Sequence, residues 1–325
     1  MQTSTTVAGI GIDVSGAKLD LAIRFSDLSY ADSSYENNAK GIRSILSVLK
    51  REETAKAAPL VIESTGNCHL QSAIMIKQRD YAVKVINPVL TRKFQKSSIR
   101  NAKSDKIDAR RLADIACIEP KLPDFSCNIN DIAAKKITSY LSHLEKVRQQ
   151  MSSSLRQLER TDKLLKMNID LKPINRAIKK IEEQMAVLAE TLKTDLPETA
   201  KKIVNETKGI SEKQMAIFLA IVGKRHFATR DQLVAYVGLD IALRQSGGWR
   251  GKQKLSKRGN GYARKILYQI AWSLKQNNEH YKSYFNRLKN DNKKHYNTAM
   301  VATARKFLRF MHAHYFSLGN VVGVN

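Results

Sequence analysis

Over the first 118 residues, hydrophobic positions fall in short runs separated by turn signals. Val7-Ala-Gly-Ile-Gly-Ile-Asp-Val14 is an apolar strand pattern interrupted near its end by a single acid, Asp13. Ser15-Gly16 reads as a turn, and Leu19 to Phe25 as a second strand closing a hairpin. A helical pattern spans Ala39 to Lys50. Pro59-Leu-Val-Ile-Glu63 is a short buried strand that again ends on an acid. Helix 67–79, strand 82–86 and, after Asn87-Pro88, a helical segment to Ile118 complete this part. Strands alternating with helices predict an α/β domain on a partly parallel sheet.

The period then changes. Apolar residues recur at Ile137, Leu141, Leu144, Met151, Leu155 and Leu158, with Arg148 in one slot, and again at Ile174, Ile178, Ile181, Met185, Leu188 and Leu192. Alternating steps of three and four form a heptad seam. It serves either a helical hairpin within the chain or long helices pairing between subunits. From Pro197 onward the pattern is helical. Lys208-Gly-Ile-Ser211 sits in a tight turn within 204–223 and resembles a helix-hairpin-helix, which offers backbone N–H groups to a phosphate. A short helix is expected over 230–237, a Gly-rich basic loop over 244–261, and helices over 262–277, 279–289 and 296–316. The expected domains are 1–125, 126–195 and 196–325.

Charge changes the picture from a fold to a partner. The chain has 325 residues and a net charge of +26, which points to a polyanion, nucleic acid first and an anionic membrane surface second. From Arg244 to Arg309 there are 17 Lys and Arg against two acids, Glu279 and Asp291, whereas residues 1–115 hold 18 bases against 12 acids. The last third is the expected electrostatic footprint, and the first third keeps its acids for another task. No apolar stretch is long enough to span a bilayer, and the first eight residues lack the features of a signal peptide, so a cytoplasmic, nucleoid-associated protein is expected. Cys68, Cys117 and Cys127 are odd in number and lack ligand spacing, and read as reduced thiols. Metal chemistry would therefore use oxygen ligands.

Four acids are notable for their placement. Asp13 and Glu63 end strands, and Asp105 and Asp108 stand three apart on one helix face. Strand ends at one edge of an α/β sheet face a common crevice. Carboxylates that converge there repel unless a cation lies between them, and Mg2+, as one or two ions, suits phosphoryl chemistry. Taken singly, each acid also reads as a cap or turn residue, and Asp105 and Asp108 as a solvated face beside Lys103, Lys106, Arg110 and Arg111.

The basic loop contains Ser246 followed by two glycines, ringed by Arg244, Arg250, Lys252, Lys254, Lys257 and Arg258, with Arg264 just beyond. These bases could hold a phosphodiester while Ser246 attacks phosphorus. The hydroxyl would need activation, and no His or carboxylate is close in sequence. From composition alone, a flexible basic loop with an inert serine is the first reading. Ser256 reads as a helix-entry residue.

Taken in order, these segments resemble the DEDD transposases of the IS one-ten family of bacterial insertion sequences, a group that includes pilin-gene DNA invertases. Gly-Ile-Asp-Val at 11–14, Ile-Glu-Ser-Thr-Gly at 62–66, Val-Ile-Asn-Pro at 85–88 and Lys-Ser-Asp-Lys-Ile-Asp-Ala-Arg at 103–110 are similar to its RuvC-like domain. Ala-Tyr-Val-Gly-Leu at 235–239, Gln-Ser-Gly at 245–247 and Leu-Ser-Lys-Arg-Gly-Asn at 255–260 are similar to its transposase domain. The resemblance implies an RNase-H-like (RuvC-like) α/β domain, a helical coiled-coil connector and an all-α transposase domain. It implies that Asp13, Glu63, Asp105 and Asp108 are a Mg2+-binding tetrad and that Ser246 is a nucleophile forming a covalent serine–DNA link. Double-stranded DNA, a structured bridge RNA and a second copy of the chain, as dimer or tetramer, are the implied partners.

Three other readings compete. A RuvC-like nuclease would use the carboxylates and water alone, and Ser246→Ala would leave its cleavage intact. A sugar kinase or actin-like ATPase shares the Gly-x-Asp start but needs a second Gly-rich phosphate loop, which the sequence lacks. A non-catalytic nucleic-acid-binding protein explains the charge and leaves Asp13 and Glu63 without a task.

Overall fold

The computed structural model describes residues 5–64, 66–95, 105–223, 225–242, 245–246, 249–250 and 254–317, without the side chains of 95, 105, 242, 245, 246, 249 and 250. The chain divides into two compact units, Met1–Asn128 and Ile129–Asn325. An N-terminal mixed β/α unit precedes an all-α unit, an architecture consistent with a RuvC/RNase-H-like domain followed by a helical region.

In the first unit, β1 (Val7–Val14), β2 (Lys18–Phe25) and β3 (Tyr30–Glu36) form an antiparallel meander, while β4 (Pro59–Glu63) and β5 (Ala82–Ile86) add in parallel to the other side of β1, giving the order β3-β2-β1-β4-β5. Helices α1 (Ala39–Arg51) and α2 (Leu70–Lys77) are the crossovers that parallel pairing requires. Ile10, Ile12, Leu19, Leu21 and Ile23 project to one face of the sheet and share a core with Ile42, Ile45, Leu49, Ala73 and Ile76. Each buried Ile or Leu contributes about 1.5–3 kcal/mol. Helix α3 (Pro88–Gln95) and α4 (Asp105–Ile118) belong to the opposite face, where Val61 and Ile86 meet Leu112 and Ile115.

The polar strand β3 is not apparent from the hydrophobic pattern. Its residues, Tyr-Ala-Asp-Ser-Ser-Tyr-Glu, carry little apolar surface, and backbone pairing to β2 makes it a strand. Polarity is tolerated there because β3 is the sheet edge.

In the second unit, α5 (Ile129–Leu165) and α6 (Lys172–Thr194) are followed by α7 (Glu198–Glu206), α8 (Glu212–Val222), α9 (Arg230–Val237), α10 (Gly261–Asn277), α11 (Glu279–Asn286) and α12 (Tyr296–Met311). The ends of the heptad stripes nearest the helical core pack within the chain. Leu141 of α5 and Ala189 and Leu192 of α6 lie in the same core as Phe218, Leu267, Phe285, Phe307 and Phe316, with Ile137, Met185 and Leu188 packed against it. Arg148 leaves the seam to pair with Glu145 at 2.9 Å and, across to α6, with Glu182 at 3.4 Å. In the 208–211 turn Gly209 has φ +106°, and Ser211 caps α8 reciprocally with Gln214. The two last helices end in π turns, with Asn292 N–H donating to the Arg287 carbonyl and Ser317 N–H to the His312 carbonyl.

The expected basic loop contains structure. β6 (Ile241–Ala242) pairs with β9 (Lys254–Leu255), and β7 (Gln245–Ser246) with β8 (Trp249–Arg250). Ser256 is not a helix-entry residue: its hydroxyl donates to Asp240, and Asn260 caps α10 by accepting from Tyr262 and Ala263.

Candidate active site

Three glycine and alanine contacts set the position of the acids. A Cβ on Gly11 would lie 2.1 Å from the Ala109 carbonyl oxygen and 2.4 Å from the Ala113 nitrogen, and one on Gly9 would lie 2.6 Å from the Ala113 carbonyl oxygen. Ala22 of β2 packs on Ala109 and Ala113. Helix α4 therefore lies directly on the backbone of β1, which only residues without a side chain allow. Two residues along β1 match four along α4, in opposite directions: Gly9 faces Ala113 and Cys117, and Gly11 faces Ala109 and Ala113. Asp13 is the next residue on that face, and Asp105 opens α4 one turn before Ala109.

Strands β1 and β4 pair as Ile10 with Leu60, Gly11 with Val61 and Ile12 with Ile62. One step further in that register stand Asp13 and Glu63. Val61, two residues before Glu63, packs against Leu112 and Ile115 of α4, and Asp108 lies one turn before Leu112 on the same helical stripe. Asp13, Glu63 and Asp108 are each half-buried. The Asp108 carboxylate accepts from Arg111 at 2.7 Å. Among the described residues, no three His, Cys, Asp or Glu side chains stand at metal-ligand distance. The backbone thus brings Asp13 and Glu63 to neighbouring strand positions under α4, while the side chains are not gathered into a ligand set.

Further ion pairs, not anticipated from sequence, anchor α4 to the sheet. Arg24 of β2 donates to Asp114 at 2.9 Å, Tyr30 of β3 donates its hydroxyl to Asp114 at 2.5 Å, and Arg110 pairs with Asp32. Burial, followed by the bond to Asp114, pushes the Tyr30 phenol up to about 12, so it is a fixed donor at neutral pH. Charges at i and i+4 on α4 opposite a polar edge strand are the signal that was available.

The basic segment belongs to the second unit. Ser246 pairs with Trp249 and Gln245 with Arg250 along the β7–β8 ribbon. Arg244 and Lys252 lie outside the described residues. Lys254, Lys257 and Arg258 are exposed. Arg264 donates to the carbonyl oxygens of Val237 at 3.0 Å and Gly259 at 2.7 Å, pinning the end of α9 to the start of α10.

Comparison with known families gives two ordered matches. Residues 10–167 match the model of the DEDD transposase of IS110, and residues 201–286 match the transposase IS116/IS110/IS902 family. No curated protein matches the chain. The two matches define a DNA transposase, an enzyme that cuts and rejoins double-stranded DNA. The chain belongs to the IS110 family of insertion-sequence transposases.

One expectation is corrected. The match over 10–167 is to DEDD transposases, whose metal-dependent nuclease chemistry is typical of the RuvC/RNase-H fold. It favours attack by water at a carboxylate-held cation over a covalent serine–DNA intermediate. A water molecule on a cation is acidified directly, whereas the Ser246 hydroxyl would need a separate base. Magnesium dependence is general to such transposases. Among the described residues no helix is long and apolar enough to cross a membrane.

Proposed function

We propose that this transposase cleaves DNA strands at the β1–β4 edge, with Asp13, Glu63, Asp105 and Asp108 holding one or two Mg2+ ions. The observation that carries the reading is the register itself. Asp13 and Glu63 are the next pair after Ile12 and Ile62, on the face that α4 covers, and α4 begins with Asp105 and Asp108 at that level. The donor set is all oxygen, which fits a hard cation. When bound, the ion supplies an acidified water and neutralises charge on the scissile phosphate. Asp13 and Glu63, held on adjacent strands, orient that site, and α4 fixes the helical pair because its backbone rests on Gly9 and Gly11. Arg111, paired with Asp108 at 2.7 Å, would stand beside the ion that Asp108 would hold.

On the same reading Arg244, Arg250, Lys252, Lys254, Lys257 and Arg258 are the phosphate-gripping bases of the second unit, while Arg264, also expected among them, is held on the Val237 and Gly259 carbonyls. A structured guide RNA and a second copy of the chain, as a dimer or tetramer, are the further partners. Plasmid cleavage in Mg2+ tests the assignment. Asp13→Asn and Glu63→Gln should each lower cleavage by at least about 100-fold with the fold retained, while Ser246→Ala should still cleave. Full activity in Asp13→Asn, or loss of cleavage in a folded Ser246→Ala, would overturn it.

A further inference from the structure

We propose that a polar groove between α5 and the end of α8 binds the phosphodiester backbone of a nucleic-acid strand through Lys135, Lys146 and Arg225. The groove lies wholly within the second unit. It uses none of the bases at 244–264 and does not rest on the carboxylate assignment above.

The groove has a volume of about 510 Å³. One wall is a stripe of α5 in which Lys135, Ser139, Ser142 and Lys146 follow at steps of four, three and four, so they share one helix face. Arg225, just past α8, and Asn260, at the start of α10, line the other side. The two small serines leave the space between the lysines open. From Lys135 to Lys146 the stripe runs about 16 Å along the helix axis. That length spans more than one phosphate of a strand, whose charges recur about every 3.4 Å of duplex axis.

The cations of the groove lack counter-charges. Among the described residues Lys135, Lys146 and Arg225 form no ion pair, and no acid lines the groove. The residues of 129–325 that lie outside the described ones include no Asp or Glu, so the second unit holds no further acid for them. Glu145, next to Lys146, is taken up by Arg148 and Lys265. Asp131, one turn before Lys135, lines a different cavity. Lys135 is exposed along its length, but its ammonium end rests over Gly223. Burial first and Arg225 second hold that ammonium below its ordinary pKa, and Asp131 opposes them with the weakest influence of the three. Neighbouring cations raise each other's energy, and an anion in the groove relieves it.

The polar groups around these cations are donors left free. Gly223 ends α8 at φ +71°, and a Cβ there would lie 3.3 Å from Lys135 Cε and 3.6 Å from its Nζ, so the glycine makes room for the lysine. The Arg225 guanidinium stands over the Tyr236 ring at 5.0 Å and makes no hydrogen bond among the described residues, which leaves its N–H groups for a phosphate. The Ser139 and Ser142 hydroxyls are likewise unengaged among the described residues. Asn260 spends its carbonyl oxygen on the N–H groups of Tyr262 and Ala263 and keeps its amide N–H groups. Lysine, arginine, serine and asparagine donors without acids are the set that contacts phosphate oxygens.

The test measures binding by the full chain in EDTA, so that cleavage plays no part, to a labelled DNA duplex and to a labelled RNA hairpin, by fluorescence anisotropy. Ser139→Glu places an acid midway along the stripe and should weaken binding of at least one probe by about tenfold or more. Ser154→Glu makes the same charge change at an exposed position of α5 outside the groove and should bind like the parent. The double variant Lys135→Ala with Arg225→Ala should lower the slope of log affinity against log salt by about 2 for the affected probe. The probe affected names the source of the phosphates, DNA, RNA or both. If the folded groove variants bind both probes like the parent, or Ser154→Glu weakens binding as much as Ser139→Glu, the proposal is overturned, whatever Asp13→Asn does to cleavage. Lysine acetylation of the parent protein, read by mass spectrometry, covers the case of a variant that does not fold. Lys135 and Lys146 should be modified in the free protein and protected when a probe is bound. Equal modification with and without both probes would also sink it.

Discussion

Glu145 shows how one carboxylate can be placed for stability instead of chemistry. It sits on α5, accepts from Arg148 at 2.9 Å and pairs with Lys265 of α10, so it joins a connector helix to the helical core. Burial acts to raise its pKa, but the hydrogen bonds from Arg148 and Lys265 outweigh it and hold the carboxyl below its ordinary value. A lowered folded-state pKa means that the stabilisation is complete above the unfolded carboxylate pKa and is lost as pH falls through the folded one. Glu145→Gln should therefore cost about 1–3 kcal/mol at neutral pH, because Lys265 loses its anionic partner and Arg148 keeps only Glu182. The gap from the parent protein in urea denaturation should narrow below about pH 4. A gap that widens on acidification would contradict this account. Asp108 differs from Glu145 in kind: it accepts from Arg111 of its own helix at 2.7 Å, a pair that ties no second element to α4.

At the scale of elements, the contact between β1 and α4 sets the candidate site. Helix α4 is held from three sides: by backbone contact at Gly9 and Gly11, by Leu112 and Ile115 on Val61 and Ile86, and by the pairs from Asp114 to Arg24 and Tyr30. Gly11→Ala would push a methyl to 2.1 Å from a backbone oxygen, with no flexible side chain to yield. The helix would have to move away from the sheet, at a cost of about 1–3 kcal/mol or more. We expect a lower melting temperature and, because Asp105 and Asp108 ride on α4, a loss of Mg2+-dependent cleavage larger than the stability loss explains. Unchanged stability and cleavage would refute the role given to this contact. Much of this was legible in sequence: Gly-Ile-Gly-Ile-Asp alternates toward one face, and Ala109 and Ala113 repeat at four. Which face the glycines served was not legible, because a glycine does not name its neighbour. Edge strand β3 was missed for a related reason, since backbone pairing leaves no hydrophobic trace.

At the scale of the whole molecule, acids and bases are sorted into different parts of the chain. The carboxylates of the proposed site lie in the first unit, and the most basic stretch, 244–309, lies in the second. Binding to duplex DNA should be governed by phosphate contacts from that stretch. With ~6 such contacts, affinity should drop by about 10³-fold between ~50 and ~200 mM salt, measured by fluorescence anisotropy on a labelled duplex. A slope near zero would move the footprint elsewhere. The short β-ribbons at 241–255 hold part of these bases on paired backbone, so fewer of them are presented by an unconstrained loop than composition implies.

Taken alone, the order of residues determined the alternation of strands and helices, the switch to helical periodicity, the charge asymmetry and the positions of Asp13, Glu63, Asp105 and Asp108 at element ends. These are local properties, set by spacing, and spacing survives without a fold. Only the tertiary structure decided that Leu141, Leu188 and Leu192 of the heptad stripes pack into their own chain's core, that Arg264 spends hydrogen bonds on backbone carbonyls, and that Asp20 stands buried across from Asp13. Each of these depends on which distant segment arrives next to a residue. Strand pairing and helix docking settle that through burial and through compensation of charge, and neither is written into any single stretch of the sequence.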